Sequence, residues 1–248
     1  MTLKDLSDAH GHAFWDHLKG RRALEVIERD DGYIDAIDSE TYFTSHLEWP
    51  SIERKAIRYA RGRVLDIGCG AGRVALHLQK KGFDVTGLDL SPYAIRVCKL
   101  RGVKKLRLGS LHSLRFRPAS FETLVMFGNN FNLVGTPEGA KRFLRRAQGI
   151  TTAQGRILAE TVDPYSTDEP VHLNYHNLNR SKGRMCGQIR IRVLYKQYRS
   201  EWFDFLFVSM EEMKHLLAGT SWSVERFLTS GGPQYIAVLK KVVTQKIR

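Results

Sequence analysis

The sequence predicts an α/β protein built on a doubly wound, mainly parallel sheet, and three observations predict it. Apolar, strand-like runs alternate with capped helix-forming stretches from Val64 onward. The first run breaks at Ile67 into a turn with glycine at Gly68, Gly70 and Gly72, directly before helix-forming sequence. An acid, Asp89, ends the next run about twenty residues later, where a βαβ nucleotide unit presents a carboxylate to a ribose.

The elements follow in order. Residues 1–62 read mainly as helices, with Phe14, Trp15 and Leu18 on one face and Ile52, Ala56 and Tyr59 on another at helical spacing. After the strand ending at Ile67, Arg73 to Lys81 forms a helix closed by a cationic last turn and Gly82. Phe83 to Leu90 is the second strand, and Ser91-Pro92 caps and opens a helix that ends at Arg101 before Gly102. Val103 to Leu108 is a short strand, and Phe121 to Phe127 reads as a strand buried on both faces. Thr136-Pro137-Glu138 starts a helix reaching Gln148, and Arg156 to Val162 is the next strand. Asp163 to Gly183 is polar and reads as a loop-like insert. Gln188 to Tyr198 and Glu201 to Val208 pair as an antiparallel hairpin, followed by a helix from Met210 to Ala218 and strands near Trp222 to Leu228 and Tyr235 to Val242.

The glycine turn departs from a dinucleotide fingerprint, because Arg73 stands where GxGxxG requires glycine. Asp66, leading the glycines, repels a pyrophosphate and attracts an ammonium group, so the expected ligand is adenosine carrying a cationic amine. The run Asp66-Ile67-Gly68-Cys69-Gly70-Ala71-Gly72 resembles motif I of the class I methyltransferases that use S-adenosylmethionine, in their small-molecule, type 11/25-like branch. The resemblance extends over roughly Val64 to Lys241. It implies a seven-stranded sheet of the Rossmann-like methyltransferase kind with an antiparallel last strand. It also implies an N-terminal helical lid over residues 1–62 and a methyltransferase domain over 63–248, with the insert and hairpin at about 163–208.

The cofactor so implied is S-adenosylmethionine, with S-adenosylhomocysteine as product. By position in the motifs, Gly68, Cys69, Gly70 and Gly72 wrap its methionine portion and Asp89 binds its ribose. Asp66 orients the loop and the methionine amine, or alternatively caps nearby amides. Leu90 and Leu111 pack the adenine faces, Ser110 stands where the family commonly has an acid, and Phe127 closes the pocket after the fourth strand.

Asn129 and Asn130 follow at the strand edge where ligands of open α/β sheets gather, and are expected to contact substrate unless they only form the turn. The Asn-Pro-Pro-Tyr motif of base and glutamine methylation is absent there. Tyr165, His172 and His176, in the insert after the fifth strand, are the candidate catalytic and substrate-binding side chains, with His12 and His46 as weaker entries. His172 and His176 are spaced to share a helix face, but no third ligand accompanies them and no metal is expected. The reaction implied is in-line methyl transfer to an oxygen, nitrogen or carbon centre of a small molecule.

Composition supplies the alternatives. A formal charge of +13 over 248 residues suits phosphate neutralisation and leaves an RNA methyltransferase as the runner-up. The basic residues are spread along the chain without an aromatic-interleaved recognition module, which weakens that reading. A non-catalytic cofactor-binding protein and, more distantly, a dinucleotide oxidoreductase are the other classes. The three cysteines form no CxxC pair, so no disulfide framework or zinc knuckle is expected. No apolar run is long enough to span a bilayer, and charged residues interrupt the first twenty positions, so the expectation is a cytoplasmic protein without membrane attachment.

Overall fold

The structure, a computed structural model, describes residues 6–242. The end of the basic run from Lys240 to Arg248 therefore lies outside the described residues. Helix α1 is Ala9–Leu18, and β1 (Leu24–Arg29) and β2 (Ile34–Asp38) form an antiparallel hairpin. Next come α2 (Ser51–Ala56), β3 (Arg63–Ile67), α3 (Arg73–Lys80), β4 (Asp84–Asp89), α4 (Pro92–Leu100), β5 (Lys105–Leu108) and β6 (Phe121–Met126). Then follow α5 (Pro137–Ile150), β7 (Thr151–Val162), α6 (Pro170–Ser181), β8 (Gln188–Tyr195), β9 (Tyr198–Arg199), β10 (Phe203–Leu206), α7 (Met210–Leu217), β11 (Trp222–Thr229) and β12 (Gln234–Lys241).

The main sheet has seven strands in the order β11-β12-β7-β6-β3-β4-β5. Strands β3 to β7 pair in parallel and β12 enters antiparallel between β7 and β11, as expected for the last strand. Alternate residues of each central strand enter opposite cores. Leu65, Leu124, Ile157 and Tyr235 pack under α5 and α7 with Phe143, Leu144 and Met213. Val64, Val125, Leu158 and Ile236 pack under α2 and α3 with Ile52, Val74 and Leu78. Burial on both faces is why the middles of these strands, Val64-Leu65, Leu124-Val125 and Ile157-Leu158, are apolar at consecutive positions and do not alternate.

Two expectations are corrected. The N-terminal segment is not helical alone, because among its described residues Leu24 to Asp38 is the β1–β2 hairpin. Its turn carries Asp31-Gly32, a pair suited to the positive φ that a tight hairpin needs, and Gly32 sits at φ 89. The insert from Asp163 to Gly183 is not a loop, since Pro170, favourable at a first helical position, opens α6. The expected hairpin of β8 and β10 is present, and β1 pairs with β8 from the other side. A second, wholly antiparallel sheet results, ordered β10-β8-β1-β2, with β9 on β8.

Candidate active site

The parallel strands end at Ile67, Asp89, Leu108 and Met126 on one edge, and the order reverses between β3 and β6 at that edge. This switch point is where open α/β sheets leave a crevice. The loop after β3 is pinned there: the Gly68 and Cys69 amides donate to the Leu88 carbonyl at 2.8 and 3.0 Å. Gly68, Gly70 and Gly72 all have positive φ, and a Cβ on Gly68 would sit 2.5 Å from Asn130 Nδ2. Cys69 is buried with Sγ 3.8 Å from Cys98 Sγ, and the hydrogen bond with that thiol, together with burial, pushes its own pKa well above the usual range.

Asp89 accepts from the Gly70 amide and from the Ser91 amide, both at 2.9 Å, one on each carboxylate oxygen. Burial raises its pKa against those two amides. Each oxygen keeps a second lone pair, so the carboxylate can take a pair of hydroxyls besides. Asp66 is buried and accepts from the Ala75 amide in the first turn of α3 at 3.1 Å, which is the capping alternative read from the sequence. Burial pushes its carboxyl up to about 7, with Arg73 opposing. Arg73 in turn holds Glu53 with both terminal nitrogens and lies 5.0 Å from the Trp49 ring. Glu160 accepts the Gly128 amide at 2.7 Å, and burial together with Glu53 raises it to about 8.

A cavity of about 1300 Å³ runs from this loop to the second sheet. Asp66, Gly68, Cys69, Gly70, Asp89, Leu90, Ser110, Leu111, Phe127, Asn129, Asn130, His172 and His176 all line it. Gly72 does not. It precedes α3 at φ 86, and a Cβ there would come within 3.0 Å of both Cys98 and Val103, so glycine is kept for packing. Tyr165 is also outside the lining, its hydroxyl donating to Glu212 at 2.7 Å. Asn130 lines the wall but spends its amide on the Ile67 and Gly68 carbonyls at 3.0 and 2.8 Å, so it holds the glycine loop. Asn129 adopts a left-handed conformation at φ 61, and its buried Oδ1 has no protein partner. Ser110 Oγ accepts the His112 amide at 3.1 Å, capping a short turn above the buried Leu111. His12 and His46 lie elsewhere, His12 stacked on Tyr198 at 3.5 Å and His46 on His77 at 4.1 Å.

Several lining residues escaped the sequence reading. Helix α1 covers the loop, with Phe14 packed on Ala71. Its N-cap Asp8 takes the Gly11 amide at 3.0 Å and also the Ser91 hydroxyl at 2.8 Å, tying the lid to the turn after Asp89. His10 binds the buried Glu25. Burial works against its imidazolium, but Glu25, with Asp89 and Asp8, raises its pKa overall. Tyr42 lies beside Gly70, where burial lifts its hydroxyl above the usual range. Ile27, Arg29, Ile189, Ile191, Val193, Phe203 and Phe205 come from one face of the second sheet, as their cross-strand register requires. The signal that could have found this roof is the Asp31-Gly32 pair between two strand-like runs. Among the described residues no group of three or more His, Cys, Asp or Glu side chains could hold a metal ion, and no helix is long and apolar enough to cross a membrane.

The model of the methyltransferase domain family matches residues 64–155, from the start of β3 into β7. A methyltransferase from Bacteroides fragilis, solved with S-adenosylhomocysteine, is 27% identical and superposes with a TM-score of 0.83 over 98% of each chain. One from Methanosarcina mazei, 19% identical over 79% of this chain and 99% of its own, shares the fold at a TM-score of 0.61. Among curated relatives, a 23S rRNA (uracil-C5) methyltransferase of Pyrococcus abyssi is 32% identical over 132 residues, 52% of this chain and 30% of that one. A ubiquinone biosynthesis O-methyltransferase of Xylella fastidiosa is 40% identical over 50 residues, 20% of each chain. The chain thus spans less than two thirds of the length of the curated relatives it matches. Fold, glycine loop and these likenesses are those of S-adenosylmethionine-dependent methyltransferases. The seven-stranded sheet, with its last strand antiparallel, is the fold of the class I methyltransferases.

Proposed function

We propose that this chain moves the methyl group of S-adenosylmethionine to an oxygen, nitrogen or carbon centre of a small molecule held between the two sheets. The observation that carries the reading is the continuous cavity of about 1300 Å³. A single small-ligand pocket spans roughly 300–1,000 Å³, so this one has room for a cofactor and a second compact molecule. The second sheet supports an enclosed acceptor over an extended one, because its apolar face closes the chamber opposite the glycine loop.

In this reading Asp89 takes the ribose hydroxyls and Leu90, Ser110 and Leu111 border the adenine. Gly68, Cys69, Gly70 and Phe127 border the methionine part, with Asp66 stiffening the loop through α3. The bound cofactor supplies an electrophilic methyl carbon, and the chain's task is to align the acceptor and keep water out. Asn129 Oδ1 takes a hydrogen bond from the acceptor. His176 is the base where the nucleophile must lose a proton, since burial and the cations Arg180 and Arg29 keep its pKa below the ordinary histidine range.

Isothermal titration with S-adenosylhomocysteine tests the cofactor site. Asp89→Ala removes an acceptor of charge-assisted hydrogen bonds worth about 1.5–3 kcal/mol, so affinity should fall roughly 10- to 150-fold. An unchanged affinity would remove Asp89 from the site. Incubation with methyl-labelled cofactor and a metabolite extract then separates turnover from binding alone.

RNA is the second reading. His112 lies near Arg142 and Arg146, and His112 and Arg142 line the cavity, so positive charge gathers at its Ser110 end. A relative named for rRNA methylation is in keeping with it.

A further inference from the structure

Arg29 lines the roof side of the cavity although it is only 6% exposed. Its guanidinium is held on every side. Nε and Nη2 donate to the two Asp31 oxygens at 2.8 and 2.7 Å, and Nη2 donates again to the Val171 carbonyl at 3.2 Å. The Tyr33 and Tyr175 rings lie 4.8 and 4.4 Å from its central carbon. Nη1 then reaches His172 Nδ1 at 3.0 Å.

That last contact decides a proton position. A guanidinium has five N–H donors, no acceptor, and does not lose its proton in a protein. His172 Nδ1 is therefore the acceptor, and the hydrogen of the neutral ring sits on Nε2. We propose that Arg29 is a positioning residue that fixes His172 as a hydrogen-bond donor, and that His172 reads a carbonyl or carboxylate oxygen on the methyl acceptor.

The inference rests on the small-molecule reading of the cavity and adds the acceptor's chemical class. The roof of the chamber presents Ile189, Ile191 and Val193 on β8 and Phe203 and Phe205 on β10. An apolar, flat body fits that roof, with its oxygen-bearing group at α6. The cation behind His172 disfavours an ammonium there. Of the acids beside Arg29, Asp31 is engaged by its guanidinium and Asp30 by the Tyr175 hydroxyl at 2.6 Å, while Asp35, Asp163, Glu201 and Asp204 lie elsewhere in the lining. His172 and His176, four positions apart on α6 and both in the lining, thus divide the work of donor and base.

The test begins with protein labelled with nitrogen-15 in its imidazoles, saturated with S-adenosylhomocysteine at pH 8. Two-bond proton–nitrogen correlations should show His172 as the Nε2–H tautomer. Arg29→Met should release that preference and Arg29→Lys, which keeps a donor, should retain it. Titrations with benzoate, benzamide, benzylamine and toluene follow. Benzoate and benzamide should perturb His172 and bind about tenfold more tightly than benzylamine or toluene, and His172→Phe should abolish that preference. An Nδ1–H tautomer in the unsubstituted protein, no binding by the two carbonyl probes, equal binding by benzylamine, or a preference that survives His172→Phe would each overturn the proposal. Should S-adenosylhomocysteine itself fail to bind, the cofactor reading falls, while the tautomer in the free protein still decides the role of Arg29.

Discussion

Glu160 and Asp66 sit together behind the glycine loop with Glu53 and share one cation, Arg73. Burial lifts Glu160 from 4.5 to about 8 and Asp66 from 3.8 to about 7. Over those intervals the folded protein binds protons that the unfolded chain releases, so the stabilisation is complete below about pH 4 and is lost as the pH rises toward 8. Glu160→Gln copies the protonated side chain, and its amide oxygen can still accept the Gly128 N–H. Its Tm should therefore fall less than that of the unsubstituted protein between about pH 5 and 8, and identical slopes would contradict the assignment. Gly68→Ala should destabilise by about 1–3 kcal/mol and weaken S-adenosylhomocysteine binding, because the added Cβ meets Asn130 and the φ of 71° is left-handed. Chemical denaturation checks the first part and calorimetry the second. The position of Asp89 at the crevice was legible because it depends on one local βαβ unit. The use of Arg29 was not, since its histidine partner lies 143 positions away.

At the scale of the element, capping explains why most boundaries could be read. Ser91 Oγ accepts the Ala94 amide at 2.9 Å and Pro92 opens α4, while Thr136 Oγ1 accepts the Gly139 amide at 3.0 Å and Pro137 opens α5. Thr136→Ala should cost about 1 kcal/mol. The expected reading is a Tm lower by roughly 2–4 °C. β7 begins at Thr151 rather than Arg156 because α5 passes straight into it, and its exposed early residues hide the apolar run. Helix α6 went unseen for a related reason. Its apolar Val171, Leu173 and Leu178 are exposed, while its covered residues are Tyr175, His176 and Asn179, so the usual periodicity is inverted.

For the whole molecule, the open question is how its charge of +13 is used. If the chamber takes a small acceptor, methyl transfer should change little between about 50 and 200 mM salt. An RNA acceptor making several phosphate contacts would lose roughly 10³- to 10⁵-fold in affinity over that range. Filter binding with tRNA and rRNA fragments, run beside the labelled-cofactor assay, separates the two. A steep salt dependence of turnover would move the acceptor to RNA.

The sequence by itself determined the parallel sheet, its antiparallel last strand and the glycine loop with Asp89, because periodicity, caps and turn glycines act within a few residues of one another. Only the tertiary structure decided what faces that loop. β1 mixes charged residues (Glu25, Glu28, Arg29) with its apolar ones, and its place in the roof comes from pairing with β8, where Glu28 meets Arg192 across 164 positions at 2.7 Å. That pairing joins the N-terminal hairpin to the inserted one, makes the apolar roof, and brings Arg29 to His172. Strand register and side-chain contact at such separation are set by the packed chain as a whole, and no local pattern encodes them.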